Sequence, residues 1–397
     1  MATQGPGARQ LGSPGAAEDP PGAARVAIVH DWLTGMRGGE RCLEVLCELF
    51  PRAPLFTLLH VPGSVTPVIE NRRIVTSFIQ QLPAAASEYR RYLPLFPAAI
   101  GRFDLRGYDL VLSLSHCVAK AVRTPPGALH LSYCFTPMRY VWDLYDDYFG
   151  ARAGLATRWL MPPVAAALRR WDRRTEGVHG FVAISRHIAD RIRRVYGRAA
   201  DVIHPPVDVE RFRISERVDD YYLVVGALVP YKRVDLAIAA ATRLGRRLLV
   251  VGTGPEARSL RALAGPTVEF LGWRHDREVA ALYARCRALL FPAVEDFGIT
   301  PLEAAAAGRP TIALARGGAL ETMVGLGAGE PPTAVFFGEQ TVEALVEAIR
   351  TFEASENRFD PKALRVRAEL FDRPVFKRRL LAYIEARWRE FHARQAC

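Results

Sequence analysis

The chain has 397 residues, half of them hydrophobic and 24% charged. That balance excludes a disordered or fibrous protein and leaves room for two cored domains. The formal net charge of +11 and pI near 9.6 point to an anionic partner, but the basic residues are scattered and no nucleic-acid-binding motif occurs. A phosphorylated ligand or an anionic membrane surface remains.

Residues 1–24 are rich in Gly, Ala and Pro and lack an apolar core, so they read as a disordered leader. Arg25–His30 (RVAIVH) predicts a buried strand. The Gly-rich turn Thr34–Glu40 follows, containing Gly38 and Gly39, and then a helix with Leu43, Val45, Leu46 and Leu49 as its apolar positions. Strand, Gly-rich turn and helix open many phosphate-binding α/β domains, although this spacing is neither a Walker loop nor G-x-G-x-x-G. Leu55–Leu59 predicts a second strand. Residues 88–106 mix Arg with aromatic and aliphatic side chains. They fit either a helix covering the core with Arg outward or a segment lying on a membrane surface. Tyr108–Ser113 predicts a strand with Ser115 and His116 at its carboxyl end, where open α/β sheets bind ligands. A histidine there can hydrogen-bond or carry a proton. Leu129–Tyr133 is the next strand, and the aromatic segment 134–143 after it is too apolar to hang in water and belongs near a cleft. Residues 155–175 predict a basic helix with Trp159 and Trp171; Gly180–Ile184 is a strand and Arg186–Tyr196 a helix. Pro205-Pro206 is a stiff connector and marks a domain boundary.

The second half repeats the rhythm. Strands are predicted at Tyr221–Val225, Arg247–Val251, Val268–Leu271, Leu289–Phe291 and Thr311–Ala315, with helices between them. Alternating strands and helices imply parallel sheets with right-handed crossovers, hence two Rossmann-like domains facing across a cleft. Within residues 289–308, an acidic loop turns at Gly298 and enters a helix through Thr300 and Pro301, with Glu295 and Glu303 eight positions apart. A helix start attracts anions and carboxylates accept hydroxyl hydrogen bonds, a pairing suited to a nucleotide sugar. The final segment, Val375–Gln395, predicts a basic helix that caps the structure or crosses back to the first domain. The six cysteines form no C-x-x-C pair and no zinc spacing, and no apolar stretch has transmembrane length; a reducing cytoplasm is the simplest compartment.

EDFGITPLEAAAAGRP (295–310) resembles the E-x7-E segment of retaining GT-B glycosyltransferases of family 4. GALVPYKRVDLAI (226–238), VGTGPE (251–256), FLGW (270–273) and ARGGALET (315–322) follow that family's order and spacing. HDWLTGMRGGERCLE (30–44) and YCFTPMRYVWDLYDDYF (133–149) are similar to a narrower branch of mannosyltransferase-like enzymes in lipopolysaccharide and exopolysaccharide assembly. The resemblance implies a first, acceptor-side domain over 25–205, a donor domain over 206–374 and a crossing helix over 375–397.

By resemblance, Glu295 contacts donor-sugar hydroxyls and Glu303 the ribose. Gly298, Ile299 and Thr300 present amides to the diphosphate, Lys232 with Arg233 neutralises it, and Gly38 and Gly39 let the first domain approach it. Gly254 belongs to the donor loops, His116 sits near the reacting centre, and Trp273 with Arg274 cradles the base. The family often has Gly-Arg where this chain has Gly226-Ala227, which leaves Arg233 or Arg37 as the alternatives for the missing arginine. The implied reaction is metal-independent, front-face hexose transfer from a nucleotide sugar, with GDP-mannose favoured over UDP or other sugars. The acceptor would be lipid-linked or a saccharide, and contact with the inner face of the cytoplasmic membrane is expected. No Asp-x-Asp cluster of the metal-dependent GT-A kind occurs. The alternatives on the same fold are a nucleotide-sugar epimerase and a phosphorylase.

Overall fold

The computed structural model describes residues 24–143, 145 and 155–395. The leader through residue 23, the end of the segment 133–149 and Cys397 lie outside the described residues. Two all-parallel sheets form. The first contains β1 (Val26–His30), β2 (Leu55–Thr57), β3 (Ile74–Thr76), β4 (Leu110–Ser115), β5 (Leu129–Cys134), β6 (Gly180–Ala183) and β7 (Asp201–Val202), in the order β3-β2-β1-β4-β5-β6-β7. The second contains β8 (Tyr222–Val225), β9 (Leu248–Val251), β10 (Val268–Gly272), β11 (Leu289–Phe291), β12 (Thr311–Leu314) and β13 (Ala334–Phe337), in the order β10-β9-β8-β11-β12-β13. Most of these strands are short apolar runs buried on both faces, as strands between helix layers must be.

Each sheet reverses its winding once. In the first, Val26 of β1 pairs with Leu110 of β4; in the second, Leu223 of β8 pairs with Leu289 of β11. Crevices open at the carboxyl ends of strands beside such a reversal. The segments leaving β1, β4, β8 and β11 therefore build the site.

The helices that matter are α1 (Gly38–Leu49), α2 (Leu155–Asp172), α3 (Arg186–Tyr196), α4 (Val234–Leu244), α5 (Asp276–Arg285), α6 (Ile299–Ala306) and α7 (Arg373–Gln395). α7 returns to the first domain. Arg373 pairs with Glu44 (3.0 Å) and Glu48 (2.7 Å), and Arg387 pairs with Asp201 (2.7 Å). The two connections between the domains run side by side: Val207 N–H donates to Phe371 O (2.8 Å) and Arg373 N–H to Val207 O (3.1 Å). Pro205-Pro206 immediately precedes this joint.

Several expectations change. Gly38 and Gly39 do not belong to a turn; they are the first two residues of α1. Residues 88–106 form no single helix. A 3-10 helix at Tyr89–Leu95 leads into a short α-helix at Phe96–Ile100, and Tyr89, Leu93, Phe96 and Ile100 cover the core. β3, β7 and β13 were not anticipated. Among the described residues no helix is long and apolar enough to cross a membrane, and five cysteines are buried and unpaired.

Candidate active site

The first domain contributes a pair of histidine–carboxylate contacts. Asp31 follows β1 directly and is wholly buried. Its carboxylate accepts from the backbone N–H groups of His116 (2.7 Å), Cys117 (2.9 Å), Val118 (2.7 Å) and Ala119 (2.7 Å), which bind the turn after β4 to the end of β1. His116 Nδ1 also lies 3.1 Å from Asp31 Oδ2. The carboxylate accepts, so Nδ1 is the donor and Nε2 is left to face other groups. Desolvation lowers the His116 pKa, and Asp31 offsets this only in part. The ring stands edge-on to Trp32, 4.4 Å between centroids. Beside it His30 is fully buried, with Nε2 3.6 Å from Glu40 Oε1. Glu40 Oε2 accepts from Arg37 N–H (2.9 Å) in the first turn of α1.

The second domain contributes the loops after β8 and β11. Lys232, in the short 3-10 turn before α4, forms an ion pair with Glu295. The loop carrying Glu295 is braced from behind, since Gly318 N–H donates to Glu295 O (2.8 Å). Asp296 reaches the other way and pairs with Arg139 and with Arg191 (2.9 Å), while Ser185 Oγ donates to its carbonyl (2.6 Å). Glu321 caps the start of α3 by accepting from Arg186 N–H (2.8 Å) and His187 N–H (3.0 Å). These contacts tie the domains together across the cleft. Farther along, Tyr283 OH donates to Glu303 Oε2 (3.0 Å), and desolvation raises the Glu303 pKa.

Two of the cavities in the cleft meet at one junction. The larger, about 570 Å³, has His116, Lys232, Glu295, Gly39 and Thr300 among its lining. The smaller, about 240 Å³, is lined by Glu303, Arg41, Arg211 and Asp276 among others. Arg37, Gly38 and Ile299 line both and form the junction.

The structure therefore brings together His116, Lys232, Glu295, Gly38, Gly39, Gly298, Ile299, Thr300 and Glu303. Four sequence candidates lie outside both linings. Arg233 turns to Asp235 (3.0 Å). Gly254 packs on the preceding loop: a Cβ there would be 2.2 Å from Leu228 O, so glycine is needed for loop-to-loop contact. Trp273 is 62% exposed and stands against His275. Arg274 lies near Glu278 (3.7 Å). Sequence reasoning missed Asp31, His30, Glu40 and Asp296. For Asp31 and His30 the available signal was position, at the carboxyl end of the first strand. Phe135, Thr136, Arg139 and Tyr140 line the larger cavity, where the aromatic segment was expected.

Residues 208–368 match the family model described as Glycosyl transferases group 1. Among solved structures, sucrose-phosphate synthase from Thermosynechococcus elongatus superposes with a TM-score of 0.68 at 18% identity, covering 94% of this chain and 100% of that one. The fold is GT-B. WaaG, a glycosyltransferase involved in lipopolysaccharide biosynthesis, shares this GT-B arrangement with a TM-score of 0.62 at 18% identity, over 90% of this chain and 99% of its own. A Mycobacterium tuberculosis relative named GDP-mannose-dependent alpha-(1-6)-phosphatidylinositol monomannoside mannosyltransferase is 32% identical over 197 residues, which is 42% of this chain and 51% of the relative. D-inositol 3-phosphate glycosyltransferase of Mycobacterium avium is 31% identical over 158 residues, 34% of this chain and 36% of that protein. The chain spans about half the length of the first of these curated relatives.

Proposed function

We propose that the protein is a retaining glycosyltransferase that moves a hexose, mannose from GDP-mannose first among the candidates, onto a lipid-linked or saccharide acceptor in cell-surface polysaccharide synthesis. One observation carries this reading. The Lys232–Glu295 pair and His116 share a cavity that joins, through Gly38 and Ile299, a smaller one containing Glu303. A sugar fits the first, a nucleoside the second, and the diphosphate the junction. The group 1 match over the donor half and the GDP-mannose dependence in the mycobacterial relative's name support it.

In this reading the bond between the anomeric carbon and the diphosphate breaks with its electrons on the diphosphate. Lys232 and the free amides at the start of α6 stabilise that charge without reorganising. Glu295, held by Lys232, accepts hydroxyl hydrogen bonds from the sugar. Glu303 accepts from the ribose. His116, with Nδ1 committed to Asp31, offers Nε2 to a hydroxyl. The acceptor oxygen attacks from the face the diphosphate leaves, and its proton passes to the diphosphate. No metal enters the scheme.

The test is a thermal-shift screen against GDP, UDP, ADP and dTDP sugars, since ligand binding to the folded state raises its melting temperature. GDP-mannose is expected to give the largest rise, and transfer to a membrane lipid extract is expected to conserve the anomeric configuration. No rise with any of the four would sink the reading. Conversion of the sugar without an acceptor would replace it with an epimerase.

A further inference from the structure

Arg37 stands immediately before α1 and lines both cavities where they meet, opposite Ile299. Its side chain is exposed, and among the described residues its one partner is Thr34, to whose Oγ1 Nη1 donates (3.2 Å). Four other cations along the path are held by carboxylates. Lys232 holds Glu295, Arg139 holds Asp296, and Arg41 (3.0 Å) and Arg211 (2.7 Å) share Asp276. Arg233 is paired with Asp235 and lines a separate cavity with Arg139, Asp143 and Arg191, away from this junction. On the second-domain wall of the larger cavity, Ala227 is uncharged. A ligand reaching from Glu295 to Glu303 must pass the junction, so whatever lies there faces the Arg37 guanidinium.

We propose that Arg37, supplied by the first domain, binds the diphosphate of the nucleotide sugar at this junction. The phosphate site of the second domain is then complete only when the domains are closed. This rests on the donor reading above. A planar guanidinium matches two phosphate oxygens at once, which a lysine cannot do, and a diphosphate offers more such oxygens than a monophosphate.

The experiment titrates wild type, Arg37→Ala and Arg37→Lys with GDP, UDP, ADP and dTDP, with the matching monophosphates and with inorganic pyrophosphate. Arg37→Ala is expected to weaken the best diphosphate and pyrophosphate by roughly 10- to 100-fold. It should change the monophosphate by less than about twofold, and Arg37→Lys should recover part of the loss. The melting temperature of ligand-free Arg37→Ala is expected to match wild type. If wild type binds a diphosphate and Arg37→Ala binds it equally well, Arg37 has no such role and the donor reading stands. If the monophosphate weakens as much as the diphosphate, the assignment to the diphosphate is wrong. If wild type binds none of the nucleotides, both readings fall together.

Discussion

Gly38 at the start of α1 meets the tip of the Ile299 side chain at the start of α6. A Cβ on Gly38 would sit 2.8 Å from Ile299 Cδ1. The two helix starts belong to different domains, so a side chain at position 38 would press on Ile299 across the cleft.

The first prediction concerns that contact. Gly38→Val is expected to disfavour the closed arrangement by about 1–3 kcal/mol, the usual cost of overpacking. That corresponds to roughly 5- to 150-fold weaker binding of the nucleotide sugar, if binding requires closure. Gly38 has no positive φ, so the helix itself tolerates the change and the melting temperature should hold. Adding Ile299→Ala removes the obstacle and should restore affinity. Nucleotide-sugar titration of wild type and the two variants checks this; equal affinity in Gly38→Val and wild type would show that the contact does not limit closure.

The second prediction concerns Lys232 and Glu295. Lys232→Ala is expected to lower the rate of sugar transfer by about 10²–10³-fold, the scale for losing one preorganised charge-stabilising group. Glu295→Ala should act through the same pair, so the double variant should fall well short of the product of the two single losses. Both side chains are largely shielded, at 21% and 17% exposure, so removing one leaves the other's charge unpaired, and the single variants should melt somewhat below wild type while staying folded in circular dichroism. Wild-type turnover in either single variant would remove that residue from the site.

The topology explains which of these residues the sequence exposed. Strands such as β1, β4 and β11 are short, mostly apolar runs, and the polar residues just beyond such a run mark its carboxyl end. His116 and Glu295 were legible for that reason, and Glu303 followed from its place on the helix after Gly298. Asp31 carries the same positional signal, but its role depends on four backbone N–H groups more than eighty positions away, which no local pattern encodes. β7 escaped notice because it has two residues, and β3 because all three of its residues are only partly buried. Gly38 and Gly39 read as a turn because glycine usually marks one; here they start α1, with Gly38 close to Ile299 of the other domain. Gly254 shows the converse, a glycine in a phosphate-like motif that serves loop packing. Trp273 and Arg274 were placed by family order alone; they follow the carboxyl end of β10, Trp273 exposed and Arg274 half-buried, outside both cavity linings.

The third prediction is a pH dependence centred on His130. This buried ring lies between Ser113 Oγ, 2.9 Å from Nε2, and Gly177 O, 3.0 Å from Nδ1. Burial pushes its pKa down to about 4, with His179 and Lys120 adding to the effect. The unfolded chain protonates this histidine near pH 6.5 while the folded one does not. Its contribution is therefore complete above about pH 6.5 and is lost as pH falls toward about 4, in total on the order of 3 kcal/mol. His116, His179 and His187 are also lowered by desolvation and push in the same direction. Glu303, raised, has the opposite sign: its contribution is lost as pH rises through its folded value. Urea midpoints should drop between about pH 7 and about pH 5, and His130→Gln should lower the starting stability but flatten the slope. An equally steep slope in His130→Gln would exclude His130 as a source.

The last prediction concerns the outer face of α2. Trp159 and Leu160 are 81% and 66% exposed, and Pro162, Pro163, Ala166 and Ala167 continue the exposed apolar surface along the helix. Arg170, Arg173 and Arg174 follow, all exposed. Apolar groups that insert beside cations that meet phosphates are what an anionic bilayer surface binds. The proposed lipid-linked acceptor would then be met where it resides. Trp159→Ala with Leu160→Ala removes side chains whose burial contributes about 1.5–3 kcal/mol each, so affinity for phosphatidylglycerol vesicles should fall at least about tenfold. Arg170→Glu should weaken it further at low salt, by about 1 kcal/mol or more per charge, and the difference should shrink as salt rises. Neither change touches the cleft, so nucleotide binding and melting temperature should be unaffected. Cosedimentation decides: wild type pelleting no better with anionic than with neutral vesicles would mean that this face binds something other than a charged membrane.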